Sequence, residues 1–213
     1  KITVFFGNYG SGKTELSLNM VLKAKESSDK VSLIDLDIVN PYFRSSEHKA
    51  MLEQKGIRVI SPVYANTAVD LPTLPAEIYT AFSGGCSVFD CGGDAVGATA
   101  LGSLKSHFDK HRNDTDILFV VNTNRPFQQD ADKLLDSLSR IENNSRLKAD
   151  GFVLNSNLGR ETTGKELLSG YKILGELSKK TGLPIKMISG TSGAINLFKQ
   201  SGIEYNGIFL IIT

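Results

Sequence analysis

Apolar positions along this chain follow two rhythms. In one, short runs are apolar at nearly every residue, and they fall at 2–6, 31–35, 57–61, 86–90, 117–122, 151–155, 185–188 and 207–212. The run Ile117-Leu118-Phe119-Val120-Val121 contains no polar position, which predicts a strand covered on both faces, as in a parallel sheet. In the other rhythm apolar residues recur at i, i+4 and i+7. Leu134, Leu138 and Ile141 do so, as do Leu167, Tyr171 and Leu174, and each set predicts a helix with one buried face. Strand and helix patterns alternate throughout, which implies right-handed crossovers and an α/β fold. The expected architecture is a doubly wound, mostly parallel sheet with helices on both faces. No repeat, low-complexity tract or linker interrupts the pattern, so residues 1–213 are expected to form one domain.

Directly behind the first run lies Gly7-Asn8-Tyr9-Gly10-Ser11-Gly12-Lys13-Thr14, a complete G-x-x-x-x-G-K-[ST] motif. Its glycines let backbone N–H groups converge on phosphate oxygens without Cβ obstruction, and the helix that follows presents its positive N-terminal end. Lys13 is expected to reach the β- and γ-phosphates of a nucleotide, and the Thr14 hydroxyl to ligate Mg²⁺. The strand–loop–helix context that the chemistry requires is present, because Leu18, Val21 and Leu22 continue a helical pattern after the motif.

In an open α/β sheet, ligands sit beyond the carboxyl ends of the strands, so polar residues that close apolar runs matter most. The second run ends in Asp35 and Asp37, two apart and therefore on one side if the chain stays extended. One is expected in the Mg²⁺ shell and the other to orient an attacking water, with capping of the next turn as the plainer alternative for either. The fourth run ends "SVFDCGGD". Asp90 stands where a carboxylate holds Mg²⁺ through water, and Gly92 and Gly93 allow a backbone N–H to swing onto a γ-phosphate. Asp94 suits the N-cap of a helix starting at Ala95, and Cys91 reads as an inert small residue.

The cradle, the Asp-Leu-Asp of the second strand and the Asp-Cys-Gly-Gly after the fourth together resemble the SIMIBI class of P-loop NTPases, the MinD/ParA/Mrp group. "DLDIVNP" (35–41) is similar to the Asp-x-Asp-Ile-x-x-Pro switch stretch of MinD- and Mrp-type ATPases. The resemblance implies Mg²⁺-dependent ATP hydrolysis, with Asp37 orienting water, Asp90 in the metal shell, and a nucleotide-dependent homodimer as one way of working. Three departures narrow it. Asn8 occupies the place where many members carry a second lysine that reaches the partner's nucleotide. The chain has no C-terminal C-x-x-C of the cluster-scaffold kind, and no basic amphipathic C-terminal helix of the membrane-tethered kind.

Asn155 and Asn157 close the sixth run, and Asn155 is expected to pair with the base edge. Leu158 stands three residues on, where a guanine reader would place aspartate, so ATP is favoured over GTP. Arg44 and Arg125 lie at strand ends and suit phosphate or an acidic substrate. Pro126 is expected to begin a helix, with Asp130 and Asp132 in its first turn. His107 and His111 have the spacing of a helical metal pair but no third ligand, which leaves an exposed helix face as the expectation. In 62–82, Asn66, Thr67 and Asp70 would line an acceptor pocket if the protein were a small-molecule kinase or ATP-dependent ligase.

Composition changes this picture little. A net charge of +1 gives no bulk electrostatic reason to bind nucleic acid or acidic lipid. Cys86 and Cys91, five apart in a strand, point to opposite faces and make a poor disulfide or shared metal site. Free thiols, and the lack of a charged-then-apolar leader, predict a cytoplasmic protein. The expected role is a nucleotide-driven switch acting on a protein partner.

Overall fold

Every one of the eight apolar runs forms a strand in the computed structural model, which describes residues 1–37, 46–61, 74–159 and 162–212. The strands are β1 (Ile2–Phe6), β2 (Val31–Leu36), β3 (Ile57–Ile60), β4 (Cys86–Cys91), β5 (Thr115–Val121), β6 (Gly151–Leu154), β7 (Ile185–Gly190) and β8 (Ile208–Ile211). They form one sheet in the order β3-β2-β4-β1-β5-β6-β7-β8, and all its pairings are parallel. From β1 the chain winds outward through β2 to β3 and returns to β4 between β2 and β1. It then steps across β1 to β5 and continues to the far edge. The winding reverses at β4, β1 and β5, and that reversal opens a crevice beyond their carboxyl ends.

Alternation along the strands sorts the core into two layers. Ile2, Val4 and Phe6 of β1 pack with α3 (Ala95–Ser103), α4 (Lys105–Lys110), α5 (Ala131–Ser145), α6 (Gly164–Thr181) and α7 (Ser192–Gln200). Phe5 faces the opposite layer, with Leu16 and Val21 of α1 (Lys13–Lys25) and Leu52 of α2 (Ser46–Gln54). The helical periodicities hold: Leu134, Leu138 and Ile141 are buried on α5, and Leu167 and Leu174 on α6. Cys91 joins the first layer and Cys86 packs against the second, both as free thiols.

At two glycines helix α3 touches its neighbours without side chains between. A Cβ on Gly97 would lie 2.8 Å from the Cα of Gly92, and one on Gly102 would lie 2.8 Å from the carbonyl oxygen of Ser145, at the end of α5.

One boundary differs from the sequence reading. The helix after β5 begins at Ala131, not Pro126. Phe127 has a left-handed backbone (φ 63), which breaks the helical path, and Asp130 caps the helix by accepting the Lys133 N–H at 2.8 Å. Asp132 lies in the first turn as expected. His107 and His111 are half-buried, with ring centroids 5.3 and 5.6 Å from that of Phe82. Arg44, Asn66, Thr67, Asp70 and the 38–41 part of the switch stretch lie outside the described residues.

Candidate nucleotide-binding site

The cradle occupies the loop between β1 and α1, at the centre of the crevice. Four of the later helices, α3, α5, α6 and α7, carry an Asp or Thr side chain capping their first turn. Helix α1 has none: its N-cap is Gly12, left-handed at φ 87, so its first N–H groups remain available to an anion. Any Cβ at Gly12 would fall 2.2 Å from Asn155 Nδ2, which fixes glycine there on steric grounds as well. Inside the loop the Asn8 carbonyl accepts the Lys13 ammonium at 3.0 Å and the Ser11 N–H at 3.2 Å.

Lys13 is 6% exposed. Burial pulls its pKa below the ordinary lysine value, while Asp90 and Asp37 push it back up. Asp90, at the end of β4, is 1% exposed, and burial raises its pKa to about 6 against the opposing pull of Lys13. The hydroxyls of Thr14 and Ser17 also favour its charged form, yet neither carboxyl oxygen accepts a hydrogen bond of ordinary geometry. Ser11 Oγ, Ser17 Oγ and Asn8 Nδ2 are likewise buried without a partner. Groups of this kind clustered on one loop fit a bound phosphate with a hydrated cation, which would satisfy them together. Among the described residues no three of His, Cys, Asp and Glu converge as a metal cage.

Asp35 lies in register beside Asp90 on the neighbouring strand, and its Oδ1 accepts the Asp37 N–H at 2.9 Å. That oxygen is committed to a turn, the plainer role anticipated for it. The Asp37 carboxylate meets the loop after β4, where a Cβ on Gly92 would lie 3.3 Å from its Oδ1. Gly93 closes the same loop against the cradle, with 2.5 Å between its would-be Cβ and Tyr9 N. Asp94 caps α3 by accepting the Gly97 N–H at 2.7 Å, as expected. Cys91 is buried, and burial raises its thiol well above the usual range.

Asn155 is brought to the cradle, though not as a free amide. Its Nδ2 donates to Ser11 O at 2.8 Å and its Oδ1 accepts from Ser189 Oγ at 2.8 Å. Asn157 is similarly engaged: its Nδ2 donates to Asn155 O and its Oδ1 accepts the Gly159 N–H. A cleft of about 500 Å³ opens on this flank, between the cradle and the ends of β6 and β7. A larger one, about 950 Å³, opens on the Asn8 and Gly93 flank and is walled by Phe127 and by Lys133, Asp136 and Arg140 of α5. Tyr9 and Phe127, each 75% exposed, stand at its rim.

No family model and no curated protein matches the chain. Solved structures do. The cell division protein FtsY of Thermotoga maritima superposes with a TM-score of 0.53 at 18% identity, over 91% of this chain and 62% of that one. Chloroplast FtsY of Physcomitrella patens gives 0.58 at 12% identity, over 91% and 59%. The signal recognition particle 54 kDa protein of Aeropyrum pernix, solved in complex with GDP, gives 0.53 at 21% identity, over 90% and 41%. The chain has the fold of these proteins.

At such identities the likeness concerns the fold, and the chain spans three fifths or less of most of these proteins' length. In that fold the G-x-x-x-x-G-K-[ST] motif falls in the loop after β1, and Asp35 and Asp90 fall at the ends of β2 and β4. Sequence reasoning missed Gln128, which is fully buried and donates through Nε2 to Tyr9 O at 3.4 Å, tying the segment after β5 to the P-loop. Nothing local distinguishes it from its exposed neighbour Gln129.

Proposed function

We propose that this chain is a Mg²⁺-dependent nucleoside triphosphatase that acts as a nucleotide-driven switch on a protein partner. The observation that carries the reading is the gathering of Lys13, Thr14, Asp37 and Asp90 at an uncapped helix N-terminus, with both Asp90 oxygens buried and lacking a hydrogen-bonded partner. Lys13 binds the β- and γ-phosphates. The Thr14 hydroxyl and, through water, Asp90 hold Mg²⁺, which when bound neutralises charge on the phosphate oxygens. Asp37 orients the attacking water, Asp35 shapes the turn that places it, and the Gly93 N–H senses the γ-phosphate. The exposed rings of Tyr9 and Phe127 beside this flank support docking of a protein partner or of a second copy. Charge near zero argues against nucleic acid, no described helix is long and apolar enough to cross a membrane, and the proposed setting is cytoplasmic. The larger cleft also favours a second reading, a small-molecule kinase or ligase, because Lys133, Asp136 and Arg140 are suited to hold a polar acceptor.

ATP remains the proposed nucleotide. Guanine needs a carboxylate for its N1 and N2 hydrogens, and Leu158 stands where one is expected. Among the described residues lining the base-side cleft, Glu15 is the sole carboxylate, and it accepts from Asn19 at 3.3 Å. The GDP bound to the 54 kDa protein favours guanine instead. Competition of ATP and GTP against a fluorescent analogue separates the two, with ATP expected to win; a tenfold preference for GTP would make this a GTPase. Asp37→Asn is expected to keep Mg-ATP affinity within about threefold and to slow single-turnover hydrolysis by about 10²–10⁴, the usual worth of a positioned base. Unchanged hydrolysis would leave Asp37 a purely structural residue.

A further inference from the structure

The segment joining β5 to α5 is held unusually firmly for a loop. Gln128 Oε1 accepts the Asn122 N–H at 3.0 Å, while its Nε2 reaches Tyr9 O in the P-loop. Asn122, itself buried, closes the turn: its Oδ1 accepts from the Asn124 N–H at 3.1 Å and the Asn157 N–H at 3.2 Å, and its carbonyl accepts the Arg125 N–H at 3.0 Å. Arg125, at the crest of this turn, leans over the P-loop. A Cβ on Gly10 would lie 3.6 Å from both its Cδ and its Nε. Among the described residues, Arg125 has no ion pair and no side-chain hydrogen bond, and the one carboxylate lining the same cleft, Glu15, serves Asn19. A hydrogen-bonded backbone therefore presents an exposed guanidinium beside the P-loop, in a cleft whose one described carboxylate, Glu15, forms no ion pair with it, on a chain with Asn8 rather than lysine after the first P-loop glycine.

We propose that Arg125 is the cis-acting cation of the phosphoryl-transfer step, and that Gln128 is its positioning residue. This rests on the triphosphatase reading above. Arg125 lines the cleft with Gly10, Gly12 and Glu15, on the side away from Asn8 and Gly93; since the reading above assigns the γ-phosphate to the Gly93 side, the β-phosphate is its proposed target. In hydrolysis the water oxygen bonds to the γ-phosphorus, and the bond from that phosphorus to the bridging oxygen breaks. Its electron pair stays on the β-phosphate, and the water's protons remain with the released phosphate and bulk solvent. Charge thus grows on the leaving group, where a fixed guanidinium stabilises the transition state more than bound ATP.

The test uses the full chain with Mg-ATP, measuring affinity by calorimetry and hydrolysis by single turnover. Arg125→Ala is expected to bind ATP within about tenfold of wild type and to hydrolyse it about 10³-fold more slowly, the low end for an arginine supplied to this reaction. Arg125→Lys should recover part of the rate, and guanidinium at non-denaturing concentration should restore Arg125→Ala. Gln128→Ala should slow hydrolysis without guanidinium rescue, since its arginine is present but misplaced. A wild-type rate in Arg125→Ala, or equal losses in affinity and rate, overturns the assignment while leaving the triphosphatase reading intact. Wild-type protein that binds no nucleotide overturns that reading instead.

Discussion

Lys13→Ala is expected to weaken ATP binding by about 10²–10³-fold, or roughly 3–4 kcal/mol, at the upper range for a charge-assisted contact in a buried setting. The ammonium is almost wholly buried and already desolvated, so a nucleotide gains its charge without further cost of stripping water from it. Its present bond is to the Asn8 carbonyl, which keeps the Ser11 N–H when lysine is removed, so the loop should hold its shape. Asp90 feels the loss most. Without its largest opposing influence, its pKa is expected to rise further above the ordinary aspartate value. Calorimetry decides the matter, with the melting curve of the nucleotide-free variant as the control for folding. Near-normal affinity would remove the phosphate assignment altogether.

Asp90→Asn is expected to stabilise the nucleotide-free protein while abolishing Mg²⁺-dependent hydrolysis. The folded carboxyl titrates near pH 6 against 3.8 for the ordinary aspartate, so the folded state binds its proton more tightly than the unfolded state does. Its contribution to stability is therefore complete below the unfolded value and is lost as pH rises through about 6. A difference of about two pKa units corresponds to about 3 kcal/mol at pH 7.5. A neutral amide of the same shape escapes that penalty, and a gain of about 1–3 kcal/mol would raise the melting temperature by several degrees in a chain of this size. Lowering the pH to 5 should roughly halve the difference, and it should vanish only below about pH 4, where the unfolded-state carboxyl is protonated as well. Adding Mg-ATP should reverse the order, since only the wild type gains the metal-linked stabilisation. A variant less stable than wild type at pH 7.5 would mean that the charge is compensated after all.

The parts of this molecule that were legible from sequence are those written in local pattern. A strand apolar at every position, as in Ile117–Val121, announces burial on both faces, and the carboxylates that end such strands must stand at the crevice. Asp94 was legible for a similar reason, because a cap bonds three residues away, whereas the capping role of Asp130 was hidden by the expected helix start at Pro126. What was hidden depends on partners remote in the chain. The Asn155 carboxamide serves Ser11, 144 residues earlier, and Gln128 serves Tyr9, 119 residues earlier. Neither leaves a periodicity to read. The late start of α5 was hidden by Phe127, whose left-handed backbone is uncommon for a bulky side chain and is held by the surrounding bonds.

The two bare contacts of α3 have a mechanical consequence. Side chains between packed elements act as a cushion, since rotamers shift and absorb a few tenths of an ångström. Helix α3 has no such cushion at Gly97, where it rests on the loop beside the phosphates, or at Gly102, where it rests on the backbone closing α5. A helix seated this way has little room to shift without moving one of those contacts, so a displacement of Gly92 on gain or loss of a phosphate is expected to be felt at the Ser145 end of α5.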